Sequence, residues 1–430
     1  MKKMSFCYAA IAALLAGSMF VSCNTSTKKG SDDYTTTLSF GPGDESKISE
    51  ALLSLKDSSI VELKAGSYKF DNLSIAQLKH ILIRGEGQDK TILDFSSQTQ
   101  GGEGIRVTDV TGFNIEHLKL QNAKGDLIKV TKSRDVVFRN VSAIWEKADS
   151  SNGGYALYPV MCKNVLIENC YVQGSSDAGI YVGQTDSAIV RNCKGYKNVA
   201  GCEIENTTHA EVYDNEFWGN CAGLLIFDLP SLSKRGGFTK AYNNNIHDNN
   251  ERNFAKAGSF GTTWGVGNAA PGSGIVVLAA SNIELYNNKI INNNSGAIML
   301  ASGLATDDKA LDKVNDNYFP ISKNIYIHDN IMEMGNSFPA PALEHHMGKL
   351  LVGIEHLLNA ADTSRKNKRI PFILYDGIST NIVTQGISPN PDSLRINQSG
   401  DNIFVNADLL HVQDQKNWHP NTMAEPFLSK

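Results

Sequence analysis

Past its first two dozen residues the chain has no apolar run near the roughly 18 residues that a membrane-spanning helix needs, so no later segment reads as a transmembrane helix. It has no basic excess either, with 40 Lys and Arg against 45 Asp and Glu and a formal charge of −5. Nucleic-acid binding relies on clustered cations that release counterions, so nucleic acid is set aside as a partner. The cysteines form no C-x-x-C pair and no zinc spacing, which removes the common redox and structural-zinc motifs. The L-x-x-L-x-L consensus is missing, which excludes a leucine-rich repeat. What remains is 41% hydrophobic and 20% charged, a balance that suits a soluble body with a large core.

The N-terminus reads as a targeting segment. Lys2 and Lys3 precede an apolar run from Ser5 to Val21, and small Ser22 precedes Cys23. Residues 1–22 form a signal peptide on this reading. The Val21-Ser22-Cys23 junction resembles a bacterial lipobox, with Phe20 departing from the usual aliphatic residue. The resemblance implies a lipid on Cys23 and a membrane anchor in the cell envelope, as in an outer-membrane lipoprotein facing the periplasm or the surface. Polar residues 23–38 would serve as a flexible tether. Cys162, Cys170, Cys193, Cys202 and Cys221 follow in the body, an odd number that leaves at least one thiol free. They read first as small buried hydrophobes, and second as partners for a disulfide between neighbouring coils.

A repeat organises the rest. Gly179, Gly201 and Gly223 each follow an alanine, open an apolar strand and stand 22 residues apart. Asn140, Asn169, Asn192, Asn215, Asn245, Asn288 and Asn330 align at gaps of 29, 23, 23, 30, 43 and 42, a base period of 22 to 23 with insertions. A coil this short cannot bury its own apolar face and must stack on neighbours. The asparagines suit a ladder of stacked amides at sharp turns. The fold class is therefore all-β, a right-handed parallel β-helix over residues 39–338. A helix with Asp44 as its N-cap covers its open end, and residues 339–430 supply a C-terminal helix, last strands and cap. Insertions fall at Asp228 to Lys240, His247 to Gly272 and Ala301 to Pro320.

Strand alternation sends every second side chain outward. Aligned on the glycines, one outward column reads Arg106, Lys129, Tyr158, Tyr181, Glu203, Leu225, Val276, Ile298. A second reads Thr108, Thr131, Val160, Gly183, Glu205, Phe227, Leu278. Cations give way to tyrosines, then glutamates, then apolar residues that the insertions must cover. A groove should run along the early coils and end against a wall of loops beside Glu203 and Glu205. Arg106 and Lys129 would bind uronate carboxylates, and tyrosines offer flat apolar faces with polar tips. Glu203 and Glu205 would fit a general acid and base, a calcium site, or ion pairs with Arg191, Lys197 or Arg252. Asp228 begins the wall, and Arg252 on the second insertion adds a cation for substrate. His209 and His247 read as turn and loop residues. Glu344, His345, His346, Glu355 and His356 share a predicted helix but lack H-E-x-x-H spacing, so no metal site is assigned.

At GSSDAGIYVGQ, NVAGCEIENT and LLIFDLPSL, and on through PGSGIVV to YDGIS, the chain resembles a bacterial family of parallel β-helix repeat-containing envelope proteins. The resemblance covers about residues 40 to 410 and implies a β-helix of the pectate-lyase type, a fold that hosts uronate lyases, C5-epimerases and hydrolases. The D-P-H-E motif of mannuronan epimerases is absent, so no catalytic residue transfers from it. The expected function is binding, and lyase or epimerase modification, of an acidic polysaccharide by a monomeric lipoprotein, with Tyr181, Glu203, Glu205 and Asp228 at the chemistry. The alternatives are a non-catalytic glycan-binding or structural protein and a glycoside hydrolase built on Glu203 and Glu205.

Overall fold

In the computed structural model, residues 34–256, 265–365, 367–381 and 392–412 are described. The signal peptide, Cys23 and the first part of the tether lie outside them, as do residues 257–264 of the second insertion and the tail from 413. No helix among the described residues is long and apolar enough to cross a membrane.

The described strands stack in parallel as coils. One sheet has 11 strands, Leu73–Ala76 at one end and Phe404–Asn406 at the other. A second, of 20 strands, holds two ladders joined where Thr111–Gln121 and Arg134–Ile144 run through both. The inner positions form one continuous core from Ile48 to Phe404. Its stability comes from each coil covering the apolar face of the next.

The Ala-Gly repeat has a packing cause. Gly179, Gly201 and Gly223 have no positive φ, but a Cβ on each would collide with a neighbour. It would meet Val172 at 2.5 Å, the Gly223 carbonyl at 2.8 Å and Ile246 at 2.3 Å respectively. Glycine lets the corner close onto the short strand before it and the coil above it.

The asparagines serve two purposes that the sequence alignment merged. Asn169, Asn192, Asp214, Asn243, Asn287 and Asp329 are the left-handed turn residues, with φ between 52° and 55°. The buried amide ladder sits one residue later. Asn215 donates to Asn244, Asn244 to Asn288 and Asn288 to Asn330, each at 2.9 Å. Cys170 and Cys193 occupy the same place in earlier coils, and the Asn215 amide oxygen accepts the Cys193 N–H. A second buried ladder, Asn198, Asn220, Asn249 and Asn293, was not read from the sequence. All five described cysteines are buried free thiols.

Several boundaries differ from expectation. Strand pairing begins at Thr36, inside the expected tether, where Thr36–Phe40 lies along Ser59–Leu63. Coils continue past residue 338, since Ile373–Tyr375 and Phe404–Asn406 extend one ladder and Arg395–Asn397 another. Before these strands the helix His346–Ala361 lays Leu351, Ile354 and Leu358 over Met299, Leu374 and Val405. The first helix, Glu45–Leu53, buries Ile48 and Leu52 in the core. The Asp44 carboxylate does not cap this helix; it accepts the Gly41 N–H at 3.0 Å and pairs with Lys47 at 2.8 Å.

Candidate functional site

The 11-strand ladder sets the site. Its register places Arg106, Lys129, Tyr158, Tyr181, Glu203, Leu225 and Val276 in one column, as the alternation predicts. The last member is corrected: Val276 pairs with Met299, and Ile298 points into the core. Gly296 pairs with Ser273 and so stands in the alanine column rather than the glycine column. The second column, from Thr108 through Gly183, Glu205 and Phe227 to Leu278, follows the expected register.

The cationic end lies open. Arg106 is exposed and its guanidinium is held by Glu103, with Nε at 2.9 Å. Lys129 is half-buried, its ammonium 4.5 Å from the centre of the Tyr158 ring. Tyr155, Tyr158 and Tyr181 then form a cluster with ring centroids 4.4 to 4.9 Å apart. Tyr155 lies just before the strand Leu157–Val160 and Tyr158 within it, and Tyr181 comes from the next coil.

Past this cluster the face closes. Tyr181 is 4% exposed, Glu203 2% and Glu205 8%. The expected groove therefore does not end beside the two glutamates; the wall lies over them. The apolar column explains this. Leu225, Phe227 and Leu278 face outward and pack with Leu229, Val266, Ala269 and Tyr318 from the insertions, and this cluster extends back over Tyr181. Among the described residues the expected ion pairs are absent as well. Arg191 is taken by Glu168 at 2.6 Å and by Tyr213, Lys197 lies over Tyr196, and Arg252 is exposed with no ion pair among the described residues.

The partners of the glutamates are instead tyrosines and other carboxyls. The Tyr181 hydroxyl donates to Glu205 Oε1. The Tyr155 hydroxyl donates to Asp177 Oδ2 at 3.3 Å. Asp177 also meets the carboxyl of Glu203, and two carboxyls bond only when one of them carries a proton. Asp177 Oδ1 receives no N–H or O–H donor among the described residues. Asp126, below them, accepts the Tyr155 N–H at 3.0 Å. Burial, then neighbouring carboxylates, pushes Asp177 and Glu203 well above the ordinary carboxyl range. Burial raises Glu205 to about 7, against the lowering effect of the Tyr181 hydrogen bond. Asp126 is raised by burial to about 6. The cluster thus holds protons near neutral pH, which suits groups that give and take them.

Asp228 stands apart from this cluster, 1% exposed at the base of the first insertion. Its Oδ1 accepts the Gly236 N–H at 3.0 Å, and Arg235 Nε lies 3.9 Å from Oδ2. Burial raises it to about 7. Asn206 laces the same loop, donating to the Leu229 and Lys234 carbonyls and accepting the Leu229 N–H. Asp126, Tyr155 and Asp177 were missed by the outward-column reading because they lie at strand entrances, before the alternation starts. The signal was there in Tyr155 and Asp177, each just before the alanine of the repeat that leads into a strand. Among the described residues, no three or more His, Cys, Asp and Glu side chains are placed to hold a metal ion.

Residues 144–310 match the family model described as "Right handed beta helix region". With the parallel ladders above, this makes the chain a right-handed parallel β-helix. No curated protein sequence matches it. Solved structures with a similar fold include the A-module of the Azotobacter vinelandii mannuronan C-5 epimerase AlgE4, at 16% identity and a TM-score of 0.48, covering 71% of this chain and 92% of that one. An alginate lyase from Paenibacillus sp. str. FPU-7 has 14% identity and a TM-score of 0.34, covering 70% and 98%. PfbA, a surface adhesin of Streptococcus pneumoniae, has 11% identity and a TM-score of 0.38, covering 69% and 76%.

Proposed function

We propose that this chain is a cell-envelope lipoprotein, anchored by a lipid on Cys23, whose β-helix binds an acidic polysaccharide and transfers protons on it in the manner of a lyase or C5-epimerase. The observation that carries this reading is one face of the ladder that passes from exposed Arg106 and half-buried Lys129 through packed tyrosines to buried carboxyls, of which Glu205 and Asp177 are bonded to tyrosine hydroxyls. Removing the proton next to a uronate carboxylate needs three things: a cation to offset the carboxylate, a base, and an acid.

Lys129, with Arg106 further along, supplies the cation, and Tyr158 a flat face for the ring. Glu205, through the Tyr181 hydroxyl, accepts the C5 proton. The proton shared by Asp177 and Glu203 is the one returned. In a lyase it goes to the departing oxygen as the C4–O bond breaks and the C4–C5 double bond forms; in an epimerase it goes back to C5 from the other face. The raised affinities for protons also keep the cluster near neutral, so that it does not repel an anionic chain at mildly acidic to neutral pH.

The low exposure of Tyr181, Glu203 and Glu205 favours a second reading, a protein that binds the glycan over Lys129 and Tyr158 without reacting. One experiment separates the two. The purified chain is incubated with alginate, pectin and glycosaminoglycans in D2O, with NMR detection of C5 deuteration and ultraviolet detection of unsaturated ends. Catalysis predicts product that is lost in Tyr181→Phe and Glu205→Gln while binding survives. Binding abolished by the Lys129→Ala/Tyr158→Ala pair, with no deuteration or cleavage on any glycan, would sink the catalytic reading and leave the second.

A further inference from the structure

A different corner of the coil, past the 11-strand ladder and at the start of the next strand, carries cations in a line. The register here stacks Arg134, Lys163, Asp186, Thr208, Gly237, Ser281 and Lys323. Gly237 has no side chain, and the first insertion puts its own cations over this stretch. Lys234 Nζ donates to Thr208 Oγ1 at 2.9 Å, and Arg235 Nη2 to Ser281 Oγ at 3.0 Å. Arg134, Lys163, Lys234, Arg235 and Lys323 thus follow one another along the helix axis, with Asp186 the one acidic residue in the column. From Lys163 to Lys323 is five strand spacings, about 24 Å.

Arg134, Lys234 and Lys323 form no ion pair among the described residues, whereas Lys163 and Arg235 do. Asp186 pairs with Lys163 at 3.3 Å and approaches His209 at 3.6 Å. Arg235 and Lys323 both lie on the Phe319 ring, at 5.5 and 4.9 Å from its centroid. Burial, then Arg235, pushes Lys323 below the ordinary lysine range, with Asp392 opposing. The buried Asp228 is the carboxylate near Arg235, at 3.9 Å.

Beside the cations stands an aromatic platform. The adjoining column is in the left-handed region at Asp135, Asn164, Ser187, His209, Phe238, Asn282 and Asn324. Short polar residues tolerate that backbone, but a bulky phenylalanine at φ 60° is an outlier. Phe238 does not repay this strain by core packing. It is 57% exposed and stacks on His209 at 5.1 Å with 5° between the planes. Strain held at an exposed aromatic is a pointer to a ligand.

We infer that this corner is a binding track for an anionic polysaccharide, with Lys163, Lys234, Arg235 and Lys323 meeting its acidic groups and Phe238 an apolar sugar face. The observations favour a sugar chain over nucleic acid: the column intersperses its cations with Asp186 and with hydroxyl and amide groups suited to sugar hydroxyls, and the chain as a whole is anionic. The inference shares the glycan class of the proposed function but needs no reaction, and its residues are separate from the Tyr181–Glu205 site.

The test measures binding of polygalacturonate and polymannuronate fragments, and of a DNA duplex as a competitor, to the wild-type chain and three variants. Arg235→Ala/Lys323→Ala should weaken glycan binding about ten-fold or more and flatten its salt dependence. Phe238→Ala should weaken it by several-fold, and Glu205→Gln should leave track binding unchanged. Circular dichroism checks that the surface variants fold. Unaltered glycan affinity in both track variants, no wild-type binding to either glycan, or equal loss for DNA and glycan would each overturn the inference. Loss of product in Glu205→Gln with track binding intact would bear on the proposed reaction alone.

Discussion

Asn192 and Asn220 look alike in the sequence, yet the fold predicts opposite sensitivities. Asn220 is buried in the second amide ladder. Its Nδ2 donates to Asn249 Oδ1 at 2.8 Å and to the Gly195 carbonyl at 3.1 Å; its Oδ1 accepts the Asn198 N–H at 2.8 Å and the Asn198 amide at 3.2 Å. Asn220→Ala strips all four bonds. Two partners keep other bonds, since Asn249 Oδ1 still accepts the Asn220 N–H and the Asn198 amide still reaches the Val172 carbonyl. The Gly195 carbonyl lies in a paired strand, so the Asn198 N–H is the group that loses the partner described for it, at roughly 1–3 kcal/mol for a buried unsatisfied group. With the other lost bonds a total of about 3 kcal/mol is expected. Asn192 is exposed and is there for its φ of 52°. Asn192→Ala should cost only about 1–2 kcal/mol, and Asn192→Gly less. Urea unfolding followed by circular dichroism measures all three, with hydrogen exchange at Asn198 and its neighbours to localise the loss. A cost for Asn220→Ala below that of Asn192→Ala would refute the two-role account of the asparagines.

Other outcomes follow from the same structure. Asp228→Asn should stabilise the protein at pH 8. The carboxyl is raised from 3.8 to about 7, so the folded state binds the proton more tightly, and stability falls as pH rises between those values and stays lower above them. The gain over wild type is on the order of 4 kcal/mol at pH 8 and vanishes below the unfolded value; thermal melts across that range check it. Tyr181→Phe removes the donor that lowers Glu205, so the carboxyl should titrate above about 7, which infrared carboxyl bands would show. Ile298→Ala should cost about 2–5 kcal/mol as a core truncation. A cost typical of an exposed site would mean that the outward alignment of Ile298 was right after all.

Much of the fold was legible because stacking leaves a period in the chain. The Ala-Gly corners and the alternation after them placed the outward columns correctly over the coils from Arg106 to Val276. The landmark residue shifts by one at Gly296–Ala301. Ala297, not Gly296, stands in the glycine column there, so Ile298 points inward. The asparagine alignment slipped in the same way, because the turn residue and the ladder residue are adjacent and both can be asparagine, as at Asn243 and Asn244.

The site was less legible because exposure is not a property of a strand. Alternation says that Glu203 and Glu205 leave the core; it cannot say what lies above them. That depends on which insertions fold back, and those have no period. The apolar outward residues Leu225, Phe227 and Leu278 did announce a cover, and the cover is there in Leu229, Val266 and Tyr318. Its reach was the missing quantity. A wall seated on Leu225 and Phe227 stands one coil from Glu203 and Glu205, about 4.8 Å away, which is less than the width of the side chains that build it. Covering the apolar column therefore covers the glutamates too. Their carboxyls leave water, shed part of their charge and turn to other partners for hydrogen bonds, Glu205 to the Tyr181 hydroxyl and Glu203 to the Asp177 carboxyl. The same apolar residues that demand the wall thus set the proton affinity of the site. Thinning the wall at Phe227 or Leu229 should lower the Glu205 value toward that of an exposed carboxyl without changing any residue bonded to it.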